Sequence, residues 1–181
     1  MSFGEYLQVE ERNPVKHEYL DGVAFAMAGG TAEHARLSAS VGRVLGNRLA
    51  GRRCGVFSSD LRIHARARGL ATYADVTVIC GKTEFDPEDK NQTTVTNPTL
   101  LVEVLSPSTE AYDRGEKLAH YKEIGSLKVV LLVSQETRSI EAWRRSSTGW
   151  ENAVHREGAV PLPELGCELS LDEVYANPQE G

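Results

Sequence analysis

No stretch of this 181-residue chain approaches the ~20 consecutive apolar residues that a membrane-spanning helix requires, so no membrane partner is expected. Its first residues, "MSFGEYLQVEERNP", lack both a basic n-region and an apolar h-region, which argues against a secretory signal and makes the cytoplasm the expected location. Cysteine is scarce: Cys54, Cys80 and Cys167 are odd in number, widely spaced and without a C-x-x-C pair, so neither a disulfide framework nor a zinc site is suggested. They read as packing residues. His17, His64, His120 and His155 also show no metal-ligand spacing, so zinc is not expected. Repeats, low-complexity segments and linkers are absent, and the length fits one domain over residues 1–181, with a lead-in over 1–15 and a frayed tail over 172–181. Positive charge is in deficit, with 20 Lys and Arg against 26 Asp and Glu and a net charge of −6. That argues against a surface devoted wholly to nucleic acid but leaves room for a local basic patch.

What is present is the composition of a soluble globular protein, 40% hydrophobic and 25% charged. "KHEYLDGVAFAMAGG" reads as a hairpin turning at Asp21-Gly22, a dipeptide that tolerates the positive φ of a tight turn. From a capping Thr31, the residues Leu37, Val41, Val44, Leu45 and Leu49 recur at helical spacing until Gly51. "GVFSSDLRIHARARG" alternates, which places Leu61, Ile63, Ala65 and Ala67 on an apolar face and Arg62, His64, Arg66 and Arg68 on a basic one. "ATYADVTVIC" reads as a strand and "TEFDPEDKNQTTVTNP" as a long loop. "TLLVEVLS" has the doubly apolar character of a central strand, ended by Pro107. A helix capped by Ser108 or Thr109 then runs to about Ile124, before the buried strand "LKVVLLVS". "SIEAWRR" and "WENAVHR" form a terminal hairpin, and "LSLDEVYANPQEG" a short helix with a loose end. The expected fold is α/β, a mixed β-sheet flanked by helices with hairpins at both ends.

Glu103 interrupts the central strand. An ionised carboxylate buried without a partner costs several kcal/mol, roughly, so it must be paired, hydrogen-bonded or bound to a cation. Asp75, in "YADVTVIC", poses the same problem, and two carboxylates meeting on adjacent strands favour a proton or a divalent cation between them. Hard oxygen donors with open water positions suit Mg²⁺ or Mn²⁺. On the following helix Asp113, Lys117 and Tyr121 lie four apart on one stripe, continued by Ile124, so Lys117 can fold back to the strand carrying Glu103. Two carboxylates, a metal-activated water and a lysine can hydrolyse a phosphodiester. The plainer alternatives are a surface Asp113–Lys117 ion pair, an Asp75 that merely starts a strand, and a Glu103 held by a structural arginine. Likewise the basic face over 62–68 is either a DNA track or a solvated strand face, and His34 either a phosphate or metal contact or a structural or solvent-facing histidine.

The blocks "HEYLDGVAFAMAGGTAEH", "SSDLRIHA", "YADVTVIC" and "NPTLLVEVLSPSTEAYDRGEKLAHYKEIG", in this order, resemble the Uma-two family of bacterial restriction endonucleases, a branch of the PD-(D/E)XK nuclease superfamily. The most specific element is "VEVLSPST" followed by "DRGEKLAHY". The resemblance implies a restriction endonuclease-like fold, Asp75 and Glu103 as metal ligands for Mg²⁺ or Mn²⁺, and Lys117 as the lysine that assists water activation. The superfamily would place that lysine two residues after Glu103, where this chain has Leu105. Glu18 matches a glutamate that completes the acidic cluster; His34, Ser106, Asp113 and Tyr121 match recurrent positions. Ala74 stands where the family commonly has proline before the aspartate.

The expected activity is a Mg²⁺-dependent endonuclease acting on DNA, with Asp75, Glu103, Lys117 and Glu18 as its catalytic group. Arg62, His64, Arg66 and His34 are the candidate nucleic-acid contacts, and a homodimer is expected because duplex DNA has two strands. The alternatives are a DNA-binding or protein-interaction module that keeps the nuclease fold without turnover, and a phosphodiesterase for RNA or a small nucleotide.

Overall fold

Ser2 opens the first element. Its hydroxyl accepts from the Glu5 N–H at 3.2 Å while the Glu5 carboxylate accepts from the Ser2 N–H at 2.6 Å, a reciprocal cap that starts helix α1, Phe3–Arg12. In the computed structural model, which describes residues 1–179, the segment expected to be a lead-in is therefore a helix. Next come β1, His17–Leu20, and β2, Val23–Ala26, paired antiparallel with Asp21 and Gly22 at φ 45° and 91° in the turn, as the Asp-Gly dipeptide indicated. Helix α2, Ala32–Leu49, starts at the Thr31 cap and buries Leu37, Val41, Val44, Leu45 and Leu49, the stripe read from its spacing.

The chain then builds two principal sheets, where one mixed sheet was expected. The second half of the chain supplies most of the larger one. Its order is β11 (Gly149–His155), β10 (Ile140–Ser146), β9 (Val129–Ser134), β8 (Leu100–Leu105), β6 (Val76–Cys80) and β3 (Cys54–Ser58). The smaller sheet runs β2, β1, β5 (Leu70–Tyr73), β4 (Arg62–Ala65) and β7 (Thr94–Val95). "ATYADVTVIC" is thus two strands in two sheets, and Ala74-Asp75 is the corner between them. Such a corner is hard to read in sequence, because every flanking residue is apolar or β-branched and the run keeps its strand-like character across it.

Side chains alternate along the central strands. Leu100, Val102 and Val104 of β8, with Val129, Leu131 and Val133 of β9, pack on α2. Leu101 and Leu105, with Val130 and Leu132, join the opposite core beside Leu118, Tyr121 and Ile124. Glu103 shares that second face by the same period. This face is covered by a run that follows β8 and is formed by α3 (Glu110–Tyr112), a π-helical turn (Asp113–Lys117) and α4 (Leu118–Lys122). A regular helix was expected there; the wider turn contains Gly115, a poor helix former, and turns of this kind often mark functional sites. A further hairpin, β12 (Ala159–Leu162) and β13 (Cys167–Ser170), leads to α5, Leu171–Tyr175, so the tail is ordered through that helix, while residues 180–181 of the expected frayed end lie outside the described residues.

Cys54 and Cys80, read as packing residues, form a disulfide between register partners of β3 and β6, 26 residues apart, while Cys167 is free and half-buried against the same core. Alkylation of the denatured protein without reductant should therefore label Cys167 alone, and all three cysteines after reduction; mass spectrometry reads the difference.

α1 also corrects the reading of residues 62–68. It covers the outer face of the smaller sheet, so Arg62 and His64 are buried rather than facing solvent. Arg62 donates to the Tyr73 hydroxyl at 2.9 Å and to Thr94 Oγ1 at 2.9 Å, and Tyr73 in turn donates to Glu10 at 2.8 Å. His64 stacks on Phe3 at 3.9 Å and meets Asp86 Oδ2 at 2.8 Å through Nδ1. Neither residue can reach a phosphate, and the alternation continues only to Ala65 before a 3₁₀ turn, Arg66–Arg68. Burial lowers the His64 pKa below its ordinary value, with Asp86 opposing the shift. Stability from keeping this ring neutral is complete above the ordinary histidine range and is lost as pH falls through the depressed value. Urea unfolding from pH 7 to 5 should show a decline that His64→Gln reduces.

Candidate active site

Three elements bring acidic side chains to one lysine. Lys117, at the end of the π turn, is 4% exposed, and its Nζ lies 3.0 Å from Glu18 Oε1 of β1, 3.1 Å from Glu103 Oε1 of β8 and 3.8 Å from Asp113 Oδ1. The stripe of Asp113, Lys117, Tyr121 and Ile124 is buried, not a surface ion pair. Burial would push the lysine toward its neutral form, but Glu103, Tyr121, Glu18 and Asp113 outweigh it and raise its pKa well above the ordinary value.

Each acid is held by a second group. Tyr121 donates its hydroxyl to Glu103 Oε1 at 2.5 Å, so both it and Lys117 engage that oxygen. Glu18 Oε1 also accepts from Thr72 Oγ1 and is approached by the Tyr112 hydroxyl. Asp113 Oδ2 accepts from Thr109 Oγ1 at 2.7 Å, and Thr109 is linked to Ser106 at 2.9 Å. Ser106 thus supports the start of the helical run from the end of β8.

Asp75 sits at the corner between the sheets. The antiparallel β6–β8 register pairs Val76 with Val102, so one further step sets Asp75 opposite Glu103. Asp75 Oδ2 accepts from the Val104 N–H at 2.7 Å and lies 3.2 Å from His34 Nε2 near the start of α2; Oδ1 carries neither contact. The hydrogen bond to Asp75 raises the His34 pKa, against burial. Gly30 is required for this approach, since a Cβ there would stand 2.7 Å from His34 Nδ1. Glu103 has its pKa pushed up to about 8, first by burial, with Lys117 pulling it down and Asp75 and Asp113 adding like-charge repulsion. Glu103 therefore retains affinity for a proton near neutral pH.

Of the residues singled out in the sequence, Asp75, Glu103, Lys117, Glu18, His34, Asp113, Tyr121 and Ser106 thus belong to one contiguous network. Arg62 and His64 do not. Arg66 is half-exposed, lies beside Glu123 and Gly125, and pairs with Asp86 at 3.6 Å. Thr72, Tyr112 and the Val104 N–H are additions that no local pattern marks, because their role follows from cross-strand placement.

Residues 3–173 match the family described as "Putative restriction endonuclease", Uma-two. The chain belongs to that family. An uncharacterized protein of Synechocystis sp. is 38% identical over 94% of this chain and 89% of its own length, and a second from the same organism is 34% identical over 80% of this chain and 81% of its own. Among solved structures, one described as "a putative nuclease belonging to DUF820" from Anabaena variabilis superimposes with a TM-score of 0.74 at 17% identity, over 93% of this chain and 96% of that one. The fold of this Uma-two member is therefore α/β and restriction endonuclease-like, and none of its helices among the described residues is long and apolar enough to cross a membrane.

Proposed function

We propose that this Uma-two protein is a divalent-metal-dependent endonuclease that hydrolyses DNA phosphodiesters. The observation that supports it most is the buried Lys117, drawn from the helix onto Glu103 of the central strand, with Asp75 one register step across. A solvated ion pair would not require this burial, and an inert core would be more stable with apolar side chains in these places.

The donor set fits Mg²⁺ or Mn²⁺. No group of three or more His, Cys, Asp or Glu side chains is arranged to enclose a metal among the described residues, which disfavours an all-protein cage. Mg²⁺ commonly takes one or two carboxylates and completes its shell with water and substrate phosphate, and Asp75 with Glu103 supplies that pair. Bound there, the ion would lower the pKa of a water and polarise the phosphate. The chain's own groups do the rest. The Lys117 ammonium orients the attacking water and stabilises charge developing on the phosphorus oxygens. Tyr121 and Glu18 fix Glu103 and Lys117, and the Val104 N–H with His34 fixes Asp75.

Covalently closed plasmid and circular single-stranded DNA, incubated with the protein and Mn²⁺, should be converted to nicked and linear forms, with no product in EDTA. Calorimetry should show binding of the divalent ion. Absence of any such binding would defeat the mechanism.

A further inference from the structure

Phe25 is 53% exposed although it lies on a strand, and its cross-strand partner in the β1–β2 hairpin is Glu18. Directly opposed residues of an antiparallel pair project from the same face, so Phe25 stands on the side of the sheet from which Glu18 reaches Lys117. β2 is the outer strand of its sheet, with no further strand paired to its free edge among the described residues. Tyr112, half-buried, approaches Glu18 from the helical run. Glu18 is therefore bracketed by one aromatic ring from each of two elements, and of these Phe25 is the more accessible. The loop after β2 leads within a few residues to His34, which holds Asp75. Phe25 thus belongs to the rim of the candidate active site, a position where an exposed apolar ring serves no packing purpose.

The charges around it matter as much. A protein that grips duplex DNA through its backbone needs cations available to phosphate. Here Lys16 is paired with Asp60 at 2.5 Å, Arg114 with Glu110 at 2.7 Å and with Glu141, Arg68 with Glu123 at 3.1 Å, and Arg66 with Asp86 at 3.6 Å. With these cations engaged in ion pairs and a net charge of −6, the chain as a whole offers little coulombic attraction to a phosphate backbone. Stacking of a nucleobase on an aromatic ring needs no such charge and tolerates any base.

We infer that Phe25 is a nucleobase-stacking residue and that the substrate is a nucleic-acid strand with an unpaired base beside the cleaved phosphodiester, single-stranded or locally opened, rather than regular duplex. The inference rests on the nuclease reading for its site and adds the substrate form and the residue that selects it.

The wild-type protein and Phe25→Ala and Phe25→Trp variants are titrated, in EDTA, against a single-stranded oligonucleotide carrying 2-aminopurine and against its duplex. Anisotropy reports binding and 2-aminopurine fluorescence reports stacking. Cleavage of the same oligonucleotides with Mn²⁺ is followed in parallel. The wild type should bind the single strand at least about tenfold tighter than the duplex and quench the fluorophore. Phe25→Ala should lose about tenfold in affinity together with the quenching, and Phe25→Trp should restore both, with unchanged circular dichroism and thermal midpoint. In cleavage the Phe25→Ala effect should fall on KM for the single strand. Equal quenching and affinity in wild type and Phe25→Ala, or a preference for duplex, overturns the stacking role even where cleavage is intact. Stacking that depends on Phe25 without cleavage under any metal upholds the inference and overturns the nuclease reading instead. Absence of binding to either oligonucleotide overturns it.

Discussion

Lys117→Met should reduce cleavage by at least about 10²–10³-fold, the usual consequence of removing a preorganised charge from a reacting phosphate or acyl group. It should also alter stability in a way that a surface lysine would not. Methionine fills much of the same space, so little of the effect is a cavity. What remains is Glu18, Glu103 and Asp113 around a position that no longer carries a cation. Removing one partner of a buried ion cluster costs about 3–5 kcal/mol when the remaining charges cannot be neutralised. These acids can be neutralised by protons. Glu103 and Asp113 already have raised pKa values, chiefly from burial, and Lys117 is the group that pulls both down. Its loss raises them further. A carboxyl whose folded pKa exceeds its unfolded value contributes stability that is present at low pH and lost as pH rises through the folded value. Urea unfolding should therefore show Lys117→Met near wild type at pH 5 and far below it at pH 8. An equal deficit at both pH values, or unchanged cleavage, would remove Lys117 from the role assigned to it.

Asp75, Glu103, Asp113, Lys117 and Tyr121 could be collected from local patterns in the sequence, whereas Glu18 and Ser106 came only with the family resemblance. Glu103 interrupts an otherwise apolar strand whose neighbours are fully buried, and the four-residue spacing of Asp113, Lys117 and Tyr121 points them to one side of a helix irrespective of tertiary detail. The same holds for α2 and the Asp21-Gly22 turn, where a cap, a periodic stripe or a positive φ leaves a local mark. Three features had no such mark. The corner at Ala74-Asp75 lies inside a run that keeps β character on both sides. α1 is amphipathic but short, and its acidic and basic residues hide the four it buries. The alternation over residues 62–68 was genuine as far as Ala65, yet alternation states only that two faces differ. It does not say what covers the polar one. Here Tyr6, Tyr73 and Thr94 supply partners for Arg62, Glu10 supplies one for Tyr73 and Asp86 one for His64, so that a basic face becomes an interior polar network. The Cys54–Cys80 bridge was missed for a related reason. Two cysteines 26 residues apart become partners only once β3 and β6 are known to pair in that register.

The acidic pair should separate activity from stability most sharply. Glu103→Gln keeps the shape of the side chain and an acceptor for the Tyr121 hydroxyl, while removing a carboxylate whose burial pushes its pKa up. At pH 8 the desolvation cost of that charge disappears, and Glu18 and Asp113 remain to pair with Lys117. The variant should be at least as stable as wild type. Asp75→Asn likewise retains an acceptor for the Val104 N–H, and its site is only 15% exposed but at the rim, so a change of about 1 kcal/mol or less in either direction is expected. Cleavage should behave differently. Each substitution takes away one of the two hard anionic donors proposed for Mg²⁺ or Mn²⁺, and a two-carboxylate site cannot replace it from elsewhere in the cluster, where Glu18 and Asp113 are engaged with Lys117. Calorimetry should show divalent-ion binding lost in both variants, and single-turnover cleavage should fall by about 10³-fold or more. Residues kept only for the fold would lose stability and leave ion binding untouched. A buried acid whose removal stabilises the chain while ending metal binding is present for chemistry, because the fold alone would favour its absence.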